Sequence, residues 1–245
     1  MSNDFLAKPR RGGRAVLVGA ALLTVLAIGG TIKLSTAKPD VPTGTAIDPG
    51  ATTSPAAAAS ISAPPVVLGP VTLVRGSRVL NGVSVGYPHS TVGSVSAAAE
   101  YATQFGSTLE PDRAATVGRI IADPSFELAP DYFAKGPVNT RKALGMSASG
   151  DLPQGASVAL NPVAYQIRDV SADKVVVLLL GYYTTSTPGQ GIKSEVGVWP
   201  LEMHWADDDW KVLKPGVTKE TDYNPLAARP GTADAIAKGW QELRR

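Results

Sequence analysis

The sequence predicts an α+β domain in which helices pack on one face of a curved antiparallel sheet. One transmembrane helix and a disordered linker are predicted to precede it. Within the domain, apolar residues recur at helical spacing between residues 90 and 146. Between residues 163 and 213 they alternate or run continuously, as they do in strands. Helices followed by an antiparallel meander are typical of the α+β class.

The helical half begins at a capping residue. Ser90 or Thr91 can cap a first helix that runs to about Phe105. Pro111 suits the first turn of a second helix, and Pro124 lies just past its end. The apolar positions of these helices are Val92, Val95, Ala99, Ala102, Ala114, Val117, Ile120 and Ile121. One or two short helices are expected in residues 125–146.

The second half predicts strands. Residues 163–170 alternate, whereas residues 174–187 are apolar on both faces, as in a central strand that is covered on two sides. Residues 194–213 are typical of a strand, a tight turn and a return strand, with Asp207, Asp208 and Asp209 in the turn. Alternation places Trp199, Leu201, Met203 and Trp205 on one face and Glu202 and His204 on the other.

The last segment, residues 226–245, is predicted to be an amphipathic helix from about Thr232 onward. Its apolar stripe contains Ala233, Ile236, Trp240 and Leu243. An apolar stripe at the end of a domain can bind another protein. Ile236, Trp240 and Leu243 are therefore candidate partner-binding residues.

The N-terminal region predicts membrane anchoring. Residues 15–32 carry no charge, and as a helix they would span roughly 27 Å, close to the hydrocarbon core of about 30 Å. The membrane-orienting residues are Lys8, Arg10, Arg11, Arg14 and Lys33. By the positive-inside rule residues 1–14 stay in the cytoplasm and the rest is extracytoplasmic. The alternative is a secretory signal that is cleaved after Ala37.

A linker and one domain follow. Residues 33–68 are rich in Pro, Ala, Thr and Ser and cannot bury enough surface to order themselves. Residues 69–225 form the extracytoplasmic domain. Residues 1–40 hold six basic residues against Asp4 and Asp40, a net of +4, so that the rest of a chain of net charge +2 carries −2. No nucleic-acid contact by the exported domain is predicted.

The residues suited to catalysis are few. The chain has no Cys, so thiolate metal sites and disulfides are excluded. His204 is expected at the surface or rim and His89 in a loop. Tyr182 and Tyr183 with Asp169 could act as acid and base, but tyrosines on a long strand more often pack. Asp207, Asp208 and Asp209 could bind calcium, but they lack the spacing of an EF-hand. Trp199, Trp205 and Trp210 are expected in the core. No catalytic, cofactor-binding or metal residue is predicted.

Two segments carry a family resemblance. WPLEMHWADDDWKVL resembles the final hairpin of the cone-shaped domain shared by nuclear transport factor and ketosteroid isomerase. With an N-terminal anchor, that arrangement is similar to the extracytoplasmic part of conjugation and type IV secretion components. NGVSVGYPHSTVGSVSAAAEYAT is similar to a stretch in actinobacterial membrane-anchored proteins. The resemblance implies a cone-like fold and a non-enzymatic assembly role, and it transfers no catalytic residue.

The functional expectation is a membrane-tethered extracytoplasmic scaffold, in a conjugative DNA-transfer or secretion apparatus. Its expected partners are the lipid bilayer, other envelope proteins and a second copy of itself. The alternative is a small-ligand-binding protein or enzyme that uses the interior of the cone. It requires a cavity of several hundred cubic ångströms with convergent polar groups.

Overall fold

Residues 68–245 are described by a computed structural model. They form a mixed α+β structure around a strongly curled, mostly antiparallel sheet. The strands are β1 (Val71–Thr72), β2 (Arg78–Leu80), β3 (Val83–Val85), β4 (Ser157–Arg168), β5 (Lys174–Thr187), β6 (Gly191–Ala206), β7 (Asp209–Val212) and β8 (Gln241–Arg244). The helices are α1 (Thr91–Gly106), α2 (Pro111–Ile121), α3 (Ala129–Ala143), α4 (Val217–Glu220) and α5 (Ala233–Ala237), with a 3-10 turn at Asn224–Leu226.

The first two helices confirm the sequence prediction. Ser90 caps α1, because its Oγ accepts a hydrogen bond of 3.0 Å from the Gly93 amide. Pro111 occupies the first turn of α2, where its missing amide hydrogen costs nothing. The region after Pro124 contains one longer helix, α3.

The main sheet has the strand order β1-β8-β4-β5-β6-β7. All neighbouring strands are antiparallel except β1 and β8, which are parallel. β2 and β3 form a separate two-stranded hairpin. The long strands β4, β5 and β6 confirm the predicted meander, and β5 lies at its centre.

The centre of the sheet is covered on both faces. One face of β5, including Leu178, packs with Tyr223 and Trp240 from the C-terminal segment. Side chains alternate along a strand, so Val177 and Leu179 point to the opposite face, which α1 contacts. The predicted central strand is therefore confirmed.

One proline and two glycines lie side by side across the three long strands. Gly181 on β5 pairs with Pro162 on β4 and Gly197 on β6, and the β4 register shifts between Pro162 and Ala164. A Cβ atom on Gly181 would lie 2.6 Å from the Asn161 carbonyl oxygen, so no larger residue fits. Bulges and glycines permit sharp bending of a sheet, and beyond this row β6 becomes exposed at residues 191–195.

The predicted C-terminal helix over residues 226–245 is wrong. Helix α5 ends at Ala237, Gly239 adopts a φ of 86°, and residues 241–244 form strand β8 between β4 and β1. Glycine takes the left-handed conformation without steric cost, so it ends the helix despite the helical spacing of the apolar residues. The free edge of β4 then recruits the last residues as a strand.

The predicted transmembrane segment (residues 15–32), its orienting charges and nearly all of the predicted linker lie outside the described residues. Within residues 68–245 no helix combines the length and apolarity that crossing a bilayer requires.

Candidate functional site

Both histidines of the chain contact the hairpin formed by β6 and β7. His204 lies on β6 directly opposite Lys211 of β7. The ring of His89, just before α1, stacks on the neighbouring Trp205, with centroids 4.3 Å apart and planes inclined by 12°. The fold thus gathers at one hairpin two residues that are distant in sequence.

The turn of this hairpin explains two of its three aspartates. Asp207 and Asp208 have φ values of 52° and 56°. Two successive left-handed residues make a turn whose twist matches that of the flanking strands, and Asp tolerates this conformation. The predicted turn is confirmed for these two residues.

Asp209 instead begins β7 and is fully buried. Its carboxylate accepts hydrogen bonds from the Tyr87 amide at 2.9 Å and the Tyr101 hydroxyl at 3.2 Å. Lys211 Nζ lies 3.3 Å away. Asp209 therefore fastens α1 and the segment before it to the hairpin. Burial, together with the nearby Asp209 charge, raises the pKa of Tyr101.

The closest polar pair at the hairpin joins Asp123 and His204. Asp123 Oδ2 lies 2.6 Å from His204 Nδ1. Asp123 follows α2, and its amide donates to the Val212 carbonyl at 2.9 Å, which fixes the residue against the edge of β7. Burial raises the pKa of Asp123, but hydrogen bonds from Ser125 and His204 outweigh it, and the pKa falls below its ordinary value.

This pair has the geometry of an oriented acid–base group. A carboxylate on Nδ1 fixes the imidazole tautomer and leaves Nε2 as the reactive nitrogen. Among the described residues none forms a hydrogen bond with His204 Nε2, and the side chain is 30% exposed while that of Asp123 is 5% exposed. The prediction that His204 lies at the rim is confirmed. No sequence spacing connected it with Asp123.

His89 lies beside a small cavity on the other side of the hairpin. Its Nε2 donates to the Ala172 carbonyl and contacts Asp173 Oδ1, both at 3.0 Å. The cavity has a volume of about 270 Å³ and is lined by residues that include Ser94, Val175 and Trp210. That volume is below the usual range of ligand pockets, roughly 300–1,000 Å³. The loop position predicted for His89 is confirmed, and its bonds join two loops.

The tyrosine pair and Asp169 do not meet. Tyr182 pairs with Asn161 near the start of β4, whereas Asp169 follows the end of β4. The Tyr183 hydroxyl lies 3.4 Å from Thr140 Oγ1. Tyr183 also packs against Trp199, as expected for strand tyrosines. Trp199 and Trp210 are buried as predicted, whereas Trp205 is only half-buried.

The C-terminal residues proposed to bind a partner are divided by the structure. Trp240 and Leu243 are 4% and 8% exposed, and Trp240 Nε1 donates to the Leu226 carbonyl at 2.8 Å. Both are core residues, so their assignment to a partner surface is wrong. Ile236 alone is well exposed, at 68%.

The largest exposed element of the long strands is the outer half of β6. Residues 191–195 are exposed, and Ile192 is 76% exposed. Beyond the glycine row, β6 pairs with β5 on one side, while β7 pairs only with residues 203–206. The main chain of residues 191–197 therefore presents a strand edge that no other described strand occupies.

Residues 29–233 match a protein family described as Domain of unknown function (DUF8175). The chain belongs to that family. No curated protein and no solved structure matches the chain. The matched region contains both histidines, Asp123, Asp209 and the exposed β6 edge. It ends where α5 begins, so β8 lies beyond it.

Residues 68–245 contain no group of three or more His, Asp or Glu side chains that could hold a metal ion. The acidic run at the hairpin is accounted for by a turn and a buried hydrogen-bond network. Two features of the described residues are therefore candidates for function: the exposed strand edge of β6 and the Nε2 atom of His204.

Proposed function

We propose that the chain is a single-pass membrane protein whose extracytoplasmic domain acts as a scaffold in an envelope assembly. The proposed anchor is residues 15–32, with residues 1–14 in the cytoplasm. A conjugative DNA-transfer or secretion apparatus is the proposed setting, on the strength of the resemblance of the final hairpin to the cone-shaped domains. The proposed partners are the bilayer and other envelope proteins.

One observation carries the scaffold role: β6 extends beyond its cover and offers an open edge at residues 191–197. An open strand edge carries unpaired amide and carbonyl groups and pairs readily with a strand from another chain. Soluble proteins usually shorten or cover such edges. A long exposed edge is therefore better explained by a partner than by stability.

The interior of the domain argues against the alternative of a ligand cavity in the cone. Large side chains fill the space between the sheet and the helices, and all of the following are fully buried: Tyr101, Ile121, Leu160, Tyr165, Ile167, Leu179 and Met203. A site for a small molecule needs hundreds of cubic ångströms of space.

The anchor is tested by fractionating cells that express the full-length chain. We expect the protein in carbonate-washed membranes, with its C-terminus digested by protease added from outside. Intact-mass measurement then distinguishes the anchor from a cleaved signal, because cleavage after Ala37 would remove the first part of the chain. A full-length chain in the cytosol would contradict the proposal.

The scaffold role is tested by placing a photo-crosslinking amino acid at position 192 in living cells. We expect defined crosslinked products at position 192. The control is the same residue at Lys142, an exposed site on α3. Equal crosslinking at both positions, or none at 192, would contradict the proposal.

A second candidate function, acid–base chemistry at the hairpin, is favoured by the Asp123–His204 pair alone. The carboxylate orients Nδ1, and Nε2 is available to a ligand. We expect ring-nitrogen NMR signals of His204 to report a proton on Nδ1, and binding of a small anion or alcohol to shift these signals but not those of His89. Unshifted His204 signals throughout such a titration would remove this candidate.

A further inference from the structure

The exposed edge of β6 has a sequence that is nearly symmetric about its centre. Residues 191–197 are Gly-Ile-Lys-Ser-Glu-Val-Gly. Reversing their order exchanges Ile192 with Val196 and Lys193 with Glu195, while Ser194 stays in place. Each exchange is between residues that are alike in apolarity or opposite in charge.

We propose that a second copy of this chain pairs with this edge. The two β6 strands would run antiparallel about a two-fold axis at Ser194. In that register Lys193 lies opposite Glu195 of the second copy, and Ile192 lies opposite its Val196. A two-fold interface places the same surface of both copies in contact, so every pair occurs twice. The proposal deepens the assembly role proposed above and rests on it for its purpose, but it does not need the anchor.

The side chains of this segment are free to form those pairs. Within residues 68–245, Glu195 makes no hydrogen bond or ion pair, and the one polar contact of Lys193 Nζ is with the Gln190 side chain, at 3.4 Å. Opposite charges directly across two antiparallel strands stabilise the pairing, and like charges destabilise it. Two Lys–Glu pairs would therefore form without breaking existing ion pairs.

The apolar pairs would lie on the opposite face from the charges. Thr184 Oγ1 contacts Ser194 Oγ at 3.1 Å, which places Ser194 on the same side of the sheet as its β5 neighbour. Alternation then places Ile192 and Val196 on that side too. Val196 already packs at the border of the core beneath it, so pairing would bring Ile192 of the second copy beside this apolar cluster.

The register also explains why the charges do not simply protect the edge. Lysine and glutamate on an edge strand normally discourage pairing with other strands. Here they disfavour other registers, because a shift of two residues removes both Lys–Glu pairs and brings like residues together. The same two side chains thus select one pairing and oppose the rest.

The first experiment uses a single cysteine in the full-length chain, which has none of its own. Ser194→Cys places the two thiols across the proposed axis, where directly opposed residues are about 5 Å apart. We expect a disulfide-linked dimer on mild oxidation of membranes. Ile192→Cys is the matched control, because it lies opposite Val196 and should crosslink only when mixed with Val196→Cys.

The second experiment exchanges charges, with self-association measured by analytical ultracentrifugation of the full-length protein in detergent. Lys193→Glu and Glu195→Lys should each weaken dimerisation at least about tenfold, because each replaces two attractive pairs with two repulsive ones. The double variant should restore it. An equimolar mixture of the two single variants should form heterodimers, since every opposed pair is then attractive.

Several outcomes would overturn the proposal. The proposal is wrong if the Ser194→Cys variant stays monomeric on oxidation. It is also wrong if this variant crosslinks to a chain of different mass, because the edge would then bind another partner. Charge variants that dimerise as well as the wild type would show that contact is made elsewhere. None of these results bears on membrane fractionation, so failure here is distinguishable from failure of the anchor.

Discussion

The two halves of the β5–β6 hairpin differ in their surroundings although they belong to the same strands. In the inner half, residues 175–181 of β5 are buried between the helices and the C-terminal segment. In the outer half, β6 is exposed from residue 191 to 195. The row of Pro162, Gly181 and Gly197 separates them. One pair of strands is thus buried in the core at one end and exposed as an open edge at the other.

The difference should be greatest for truncation of apolar side chains. Leu178 and Leu179 are fully buried, so Leu178→Ala should cost about 2–5 kcal/mol of unfolding free energy, through lost transfer energy and a cavity. Ile192→Ala should cost less than about 0.5 kcal/mol in the monomer. Chemical denaturation at low protein concentration compares the two variants. Equal losses would show that the outer half also belongs to the cooperative core.

The covered side of the molecule should also depend on the buried carboxylate of Asp209, at the start of β7. Asp209→Ala leaves the Tyr87 amide and the Lys211 ammonium without their partner. We expect a loss of about 3 kcal/mol, because one member of a buried ion pair is removed. Tyr101→Phe, which deletes only one donor to the same carboxylate, should cost about 1 kcal/mol. Thermal unfolding measures both variants. If Asp209→Ala lost less stability than Tyr101→Phe, the proposed hydrogen-bond network would be contradicted.

The boundary between the halves can be tested at Gly181. Gly181→Ala should destabilise the fold by about 1–3 kcal/mol, since its methyl group would meet the backbone of Asn161. Gly136→Ala in α3 is the control, because a Cβ atom there meets nothing within 4 Å. It should stabilise the helix by roughly 0.5–1 kcal/mol. If Gly181→Ala had the same denaturation midpoint as the wild type, the bend would not require a glycine at this position.

The smallest expected effect concerns pH at the Asp123–His204 pair. The pKa of Asp123 is lowered in the folded protein, so its contribution to stability is present above the unfolded pKa near 3.9 and is lost as pH falls through the folded pKa. Asp123→Asn should therefore be less stable than wild type by about 1 kcal/mol at neutral pH. The two should converge in strong acid. Parallel stability curves from pH 7 to 2 would contradict this linkage.

The sequence was informative where one local pattern decided the structure. Ser90 and Pro111 mark the starts of α1 and α2, and the continuous apolar run identified β5 as central. The C-terminal strand could not be found in this way, because its apolar residues repeat at helical spacing. Only the unpaired edge of β4 and the left-handed Gly239 decide against a helix.

The site was harder to predict because it depends on contacts between distant residues. Asp123 and His204 are brought together by the attachment of residues 122–123 to β7, which no spacing indicates. The sequence predicts Asp209 in the turn, because nothing in a run of three aspartates distinguishes the one that is buried. The near-symmetric order of residues 191–197 was visible in the sequence, but it gained meaning only once that segment was shown to be an exposed edge.

The pairing of β1 with β8 places the first and the last strand of the described region side by side. Val71 lies opposite Leu243, and the Leu73 amide donates to the Arg244 carbonyl at 2.8 Å. Mechanical tension applied to the chain before Leu68 would therefore act first on β1, and because this strand has only two residues, it would detach from β8 before the long strands separate. A purification tag on Arg245 would emerge beside Leu73, at the opposite end of β1 from Leu68, because the two strands are parallel.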